Sequence, residues 1–518
     1  MNQLKSFFFM ERCFNFLLSK AKTYQIPLLS SIAFSFLAYG FSLTNKLVNH
    51  DDVFYLFSKG GTTILGRWGL EICERFFPNF SMPWIYGIFS ILLIALSVCV
   101  IVKIFSIRSN LLQILLAGII ATFPSFTAMM SYMFTASSFC LAILMTVTAG
   151  ALLKKPTFLS VVFSLGCMIF SLSIYQAYIS LASGLLILIL IQEIIEGADA
   201  IYVFRKGLGY IIFLIVSVIG YYLATLVVQK ILGLSFGSYA NQYMTFSISE
   251  LPDKITLSYT SFFNFLFGWP NWLIPAILAR RLNYLFLGII FVFFLIWSKF
   301  AKTKTLASIL LFAALLSILP LAINCMYLVT PPAAIHSFVM YGFVCFYLLI
   351  ILLADRCLDL PIKEKLLHRV HLCAVDIVSL SLALFVASNV YLANAAALNL
   401  HLQYENTYAF FTSVTADMKM MPEFNESTRL ALIGDYQCPI YHDRYLFESR
   451  SLTGVEGMYP DSYSNAQFVE YYLGFPIPFA SGEEVDAIKN TYEYANMPCY
   501  PYDGSLKFFG DILVVKLS

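Results

Sequence analysis

The sequence predicts a polytopic α-helical membrane protein of about eleven transmembrane helices, followed by a small C-terminal domain of α/β or α+β type. Three observations carry this. The 518 residues are 59% hydrophobic and only 12% charged, with a mean hydropathy of +0.78; soluble chains carry about 25% charge. Apolar runs of about 20 residues, the length that crosses a bilayer with every backbone amide paired, recur along the chain. The composition then changes: 393–518 holds 7 basic and 16 acidic residues, a net of −9, with many Tyr, Pro and Gly. A soluble enzyme, a disordered chain and a nucleic-acid binder are excluded as the main reading. The overall charge of +2 says nothing by itself.

The elements follow in order. Leu4, Phe7, Met10, Phe14 and Leu17 are spaced by three or four, so 1–25 reads as a helix lying on the cytoplasmic membrane face. Spans are expected near 26–45, 83–102, 110–128, 131–152, 157–174, 176–192, 208–229, 283–298, 305–325, 337–354 and 372–392. Counted by alternate loops, 17 Lys and Arg fall on the side of the N-terminus and 8 on the other before residue 393. By the excess of basic residues on the cytoplasmic side, the N-terminus is cytoplasmic. An odd number of spans then puts the tail outside. The transmembrane domain 26–392 thus presents two long outward loops, 46–82 and 230–282. In the tail, Arg429 to Gly434 and Asp511 to Lys516 read as short strands. Most of the eleven Cys lie in apolar runs and pack as small hydrophobes; Cys438 and Cys499 of the outward tail are a candidate pair.

The first outward loop carries the strongest chemical signal. Asn49-His50-Asp51-Asp52 follows the first span directly. Paired carboxylates at a membrane boundary can take a proton from a hydroxyl or hold a divalent cation such as Mg or Mn. The plainer alternative is that one aspartate caps the helix that begins at Val53. Next comes 62–77, read as one helix with Leu65, Trp68, Ile72 and Phe76 as an apolar stripe and Arg67, Glu71, Glu74 and Arg75 opposite. The i,i+4 spacings offer salt bridges Arg67–Glu71 and Glu71–Arg75. Such a helix either rests on the outer leaflet or aims Arg67 and Glu71 at a site beside the acidic pair. Arg280 and Arg281 precede a span on the outward side, against the usual bias, and guanidinium forks match phosphate. Trp269 in Gly268-Trp-Pro-Asn-Trp272 can stack on a sugar or serve as a belt residue. His336 sits in a further outward loop. The six His show no zinc spacing, and no nucleotide fingerprint or nucleophile elbow occurs.

Three motifs together, His50-Asp51-Asp52, Gly66-Arg67-Trp68 and Met497-Pro-Cys-Tyr-Pro-Tyr-Asp-Gly504, resemble the Gtr-type (GtrII-like) glucosyltransferases that modify bacterial O-antigen. In layout the chain is similar to the wider GT-C class of membrane glycosyltransferases. The resemblance implies an inverting hexosyl transfer, glucose in the first instance, from undecaprenyl phosphate to an O-antigen hydroxyl of lipopolysaccharide. It implies a periplasmic site in the bacterial inner membrane, with Asp51 or Asp52 as base. Glu71, Glu74, Trp68, Trp269 and His336 are candidate substrate contacts, and Arg67, Arg280 and Arg281 candidate phosphate contacts. Implied partners are the lipid-linked donor, the glycan acceptor, membrane lipids, and the enzymes that make and flip the donor. Two alternatives handle similar molecules. A lipid-linked sugar flippase needs charge within its spans, and here charge concentrates outside them. An O-antigen polymerase or ligase is expected to rely on a late outward loop.

Overall fold

A computed structural model describes residues 22–57, 61–76, 82–237, 248–268, 277–300, 305–332, 335–357, 365–436, 439–455 and 464–518. The expected surface helix at 1–25 lies almost wholly outside these, as do Trp269 and Cys438. The helices are α1 (Gln25–Thr44), α2 (His50–Phe54), α3 (Trp68–Glu74), α4 (Pro83–Phe105), α5 (Asn110–Thr122), α6 (Pro124–Ser131), α7 (Met133–Leu153) and α8 (Phe158–Ile174). They continue as α9 (Tyr178–Ile195), α10 (Ala200–Leu232), α11 (Leu251–Phe267), α12 (Ile277–Phe300), α13 (Leu306–Ile323), α14 (Val344–Cys357) and α15 (Lys365–Met420).

The chain is a polytopic helical membrane protein. Among the described residues nine helices are long and apolar enough to span, or ten if the bent pair α5–α6 counts as one. The 17-residue α8 is apolar too. Each of the eleven expected runs is helical. The run at 110–128 bends by 43° at Phe123-Pro124, because proline cannot donate to the preceding turn. Thr157 and Thr305 open α8 and α13 with reciprocal Thr–Ser capping boxes, and Asp199 caps α10.

Among the described residues the basic Lys154, Lys206 and Arg356 meet at one end of the bundle. There Arg356 bonds Asp355 at 2.6 Å, Glu196 at 2.9 Å and the Phe105 carbonyl at 2.7 Å. Asp355 in turn accepts from the Arg108 and Ser109 amides. Lys154 donates to the Ile104 carbonyl, and Lys206 to the Lys154 carbonyl. Cations therefore sit on the carbonyl ends of α4 and α7, where the helix dipole favours them. At the opposite end of α7, 21 residues away, lie the acidic loop, α3 and the tail.

Two expected boundaries shift. The loop 230–282 contains the helix α11, and α10 runs on to Leu232. The last span does not stop at 392: α15 has 56 residues and passes straight through 393. Its Ala393, Ala396, Ala397 and Leu400 pack in the membrane core, while Phe411, Val414 and Met418 pack in the tail. The tail adds β1 (Arg429–Ile433), α16 (Arg444–Ser449), α17 (Asn465–Tyr471), α18 (Gly482–Lys489), α19 (Tyr492–Ala495), β2 (Leu506–Phe509) and β3 (Ile512–Lys516). Both strands read from the sequence are present. The sheet order is β1-β3-β2, with β1 parallel and β2 antiparallel to β3, and Arg429 opposite Ile512.

Candidate functional site

The acidic loop is held by its flanks. Asn49, 1% exposed, caps α2: its side-chain oxygen accepts from the Asp52 amide at 3.0 Å. Asn49 Nδ2 donates to the Ser131 carbonyl at 2.8 Å. Asparagine, and neither aspartate, therefore caps this helix. Val48 and Val53, both 0% exposed, bracket the pair and belong to the apolar core of the tail with Phe411 and Phe468. Burying a valine contributes about 1.5–3 kcal/mol, so the loop is anchored on both sides.

The two aspartates differ. The Asp52 side chain is 0% exposed, with the Lys46 ammonium 3.5 Å from Oδ1. The Asp51 side chain is 32% exposed and lies 3.8 Å from the His50 ring. Tyr472, just after α17, is stacked on Phe468 at 5.1 Å, and its hydroxyl has no hydrogen-bond partner among the described residues. Burial first, and then the nearby Asp52 charge, hold its phenol well above the usual tyrosine range.

An aromatic lane leads away from this loop. His50 meets Tyr132 edge-on at 6.4 Å, and Tyr132 meets Phe338 at 5.4 Å. Phe338 touches Tyr175 at 5.5 Å and stacks with His336 at 6.0 Å. The Arg67 guanidinium lies 4.9 Å over the Tyr175 ring and closes the lane. Arg67 Nε is buried without a hydrogen bond, and no carboxylate comes within ion-pair distance of Arg67 among the described residues. Burial, and then the Arg67 charge, push the His336 imidazole below its ordinary value, so it is neutral near pH 7. A cation without a counterion beside a neutral imidazole is a site for an anion.

Arg67 is fixed by its neighbours. Residues 62–77 are not one helix: Thr62–Leu65 form a 3-10 turn and Gly66 stands at φ +76° before α3 starts at Trp68. A side chain at Gly66 would meet the Tyr221 hydroxyl at 2.4 Å, so only glycine fits. Tyr221 donates to the Gly66 carbonyl at 3.1 Å, Gln176 to the Leu65 carbonyl at 3.1 Å, and Gln229 to the Thr63 carbonyl at 3.1 Å. Trp68 donates its indole N–H to Thr225 at 3.2 Å, so it braces α3 on α10. Because Arg67 precedes the helix, the expected Arg67–Glu71 pair does not form. Glu71 accepts from Thr63 at 2.5 Å and lies 4.0 Å from Arg75, the second expected pair. Glu74 is 7% exposed, against α4 near Tyr86.

The other candidates sit elsewhere. Arg280 faces Glu448 of α16 at 3.7 Å and donates to the Gly268 carbonyl at 3.4 Å, which ties α12 to the tail. Arg281 is exposed. Among the described residues no group of three or more His, Cys, Asp or Glu side chains could hold a metal ion. The acidic pair offers one carboxylate already beside Lys46 and one near His50, far from the six oxygens a hard cation prefers, so no step below runs through a metal. Sequence reasoning missed Gln176, Tyr221 and Gln229. A signal existed for two of them: Ser217, Tyr221, Thr225 and Gln229 form an i,i+4 polar stripe in the otherwise apolar α10.

Residues 40–347 match the family model described as "Glucosyl transferase GtrII". That stretch is more than half of the chain and contains the acidic loop, Arg67, Arg280 and His336. No curated protein matches the sequence.

Proposed function

The chain belongs to the glucosyl transferase GtrII family, and from that premise we propose that it moves glucose from undecaprenyl phosphate to a hydroxyl of O-antigen on the periplasmic face of the bacterial inner membrane. The observation that carries the reading is the lane itself. An acidic pair stands at one end and, at the other, an arginine with no counterion among the described residues, with aromatic rings between them.

In this mechanism the acceptor hydroxyl enters beside Asp51, the carboxylate with open surface, which takes its proton. The hydroxyl oxygen attacks C1 of the glucosyl unit from the side opposite the phosphate. The C1–O bond to phosphate breaks, its electron pair leaves with the polyprenyl phosphate, and the anomeric configuration inverts. Asp52, buried with Lys46, orients the loop. Arg67 binds the phosphate and stabilises the charge that grows on it, the step where fixed positive charge contributes most. Neutral His336 offers a ring N–H to the same phosphate. The sugar lies along Phe338 and Tyr175. The lipid tail follows the bundle surface. Glu71 and Glu74 hold the scaffold of α3. The acidic tail seats the neutral glycan. The donor is supplied by a transferase that loads the lipid and a flippase that turns it outward.

Family membership favours transfer over the flippase and polymerase readings. The test is transfer of labelled glucose from polyprenyl-phosphate glucose to purified O-antigen, with the anomer of the product read by NMR. An inverted product, lost in Asp51→Asn, supports the mechanism. Retention of configuration, or full activity without the lipid-linked donor, contradicts it.

A further inference from the structure

The loop of the tail at 452–455 reaches into the site from outside the family-matched region. Leu452 and Val455 are both 0% exposed and pack in the membrane core, unlike the rest of the tail. Between them Thr453 and Ser337 exchange two hydrogen bonds. The Thr453 amide donates to Ser337 Oγ at 2.8 Å, and the Ser337 amide donates to Thr453 Oγ1 at 3.0 Å. The Thr453 carbonyl accepts from Ser131 Oγ at 3.2 Å. The Ser131 carbonyl accepts from Asn49 at 2.8 Å. Gly454 follows at φ +85°, where a Cβ would meet Ser131 Oγ at 2.3 Å and Tyr132 at 2.6 Å. One continuous chain of hydrogen bonds therefore runs from the acidic loop, through the α6–α7 break, to the loop that carries His336 and Phe338. Asn49 and Ser337 are each 1% exposed, and Ser131 is 8% exposed.

We infer that Thr453 is a positioning residue for the transfer reaction: its hydroxyl and backbone lock the acidic loop to the His336–Phe338 wall and so set the reach from base to phosphate. This rests on the reading above. The acidic loop and the His336–Phe338 wall lie almost three hundred residues apart in sequence, and Thr453 is bonded to both through Ser131 and Ser337. The tail loop supplies the spacer. An error of about 1 Å in such a distance can cost a hundredfold in rate while leaving each substrate's own contacts intact. The tail is therefore part of the catalytic frame as well as a seat for the glycan.

The test uses the full-length protein in detergent and reads kcat and the donor KM separately. Thr453→Val keeps the shape and removes the hydroxyl; Thr453→Ser keeps the hydroxyl. The expected result is a kcat about tenfold lower or less for Thr453→Val, a donor KM within about twofold of wild type, and recovery of most of the rate in Thr453→Ser. Ser337→Ala, which removes the reciprocal acceptor, should reproduce the loss. Wild-type kcat in Thr453→Val overturns the inference, as does equal impairment of the Val and Ser variants. If neither Thr453→Val nor Ser337→Ala yields folded protein, the knot is a folding element and the positioning role is likewise overturned. Asp51→Asn is run alongside. Undiminished transfer there would overturn the functional reading itself, whatever Thr453→Val does.

Discussion

Replacing Arg67 by Gln should separate stability from function. In the folded protein the guanidinium lies over the Tyr175 face at 4.9 Å, and its buried Nε has no hydrogen-bond partner among the described residues. A cation–π contact of this kind contributes about 0.5–2 kcal/mol. A buried donor left unsatisfied costs about 1–3 kcal/mol. The two nearly cancel, so Arg67→Gln should change the thermal midpoint by no more than a few degrees, in either direction. Binding behaves differently. Each hydrogen bond from arginine to a charged oxygen contributes about 1.5–3 kcal/mol, and a phosphate accepts two from one fork. At about 1.4 kcal/mol per tenfold, the loss in kcat/KM for the lipid-phosphate donor should reach a hundredfold or more. Arg67→Lys keeps the charge without the fork and should fall between. The assay is transfer from polyprenyl-phosphate glucose at varied donor, beside a thermal melt of the same preparation. An unchanged donor kcat/KM in a folded variant refutes the phosphate assignment. A drop in stability above about 3 kcal/mol refutes the claim that Arg67 lacks a structural partner.

Other perturbations probe the frame around the site. Gly66→Ala forces a Cβ onto the Tyr221 hydroxyl at 2.4 Å and strains a positive φ; it should cost about 2–4 kcal/mol in a melt and reduce transfer. His336 has a folded pKa below its unfolded value of about 6.5, so the unfolded chain takes up the proton first. Stability should therefore fall as pH drops below about 6.5, and His336→Gln should remove that part of the pH dependence of the thermal midpoint. Arg67→Gln should weaken it, since the Arg67 charge is the second cause of the shift after burial. Glu448→Gln removes the shared partner of Arg280 and Arg444; limited proteolysis should then show a more readily cleaved tail. Val53→Asp would bury a charge in the tail core and should give little folded protein, scored by size exclusion.

Much of the fold was legible because lipid imposes a simple rule: long apolar runs must be helices. Each expected span is helical. What the sequence hid is mostly non-local. Nothing near residue 393 marks a stop, since α15 changes from a membrane core at Leu400 to the tail core at Phe411 without leaving helical geometry. The stretch 62–77 has helical spacing throughout, yet Gly66 takes a left-handed conformation because Tyr221, far along the chain, requires the space. Asp51 and Asp52 were visible as a pair, but their division into an open and a buried carboxylate depends on Val48 and Val53 docking in the tail. Arg280 and Arg67 are both outward arginines in the sequence, and non-local contacts distinguish them: Glu448 and the Gly268 carbonyl for Arg280, the Tyr175 ring for Arg67.

We propose that Asp51 of the acidic loop is the base of a glucosyl transfer whose leaving group is a lipid phosphate. The most direct measurement is single-turnover transfer by Asp51→Asn and Asp52→Asn, with donor binding measured on the same samples. Asp51→Asn should bind donor as wild type does and transfer at least a hundredfold more slowly, as loss of a positioned base requires. Undiminished transfer by Asp51→Asn would contradict that assignment.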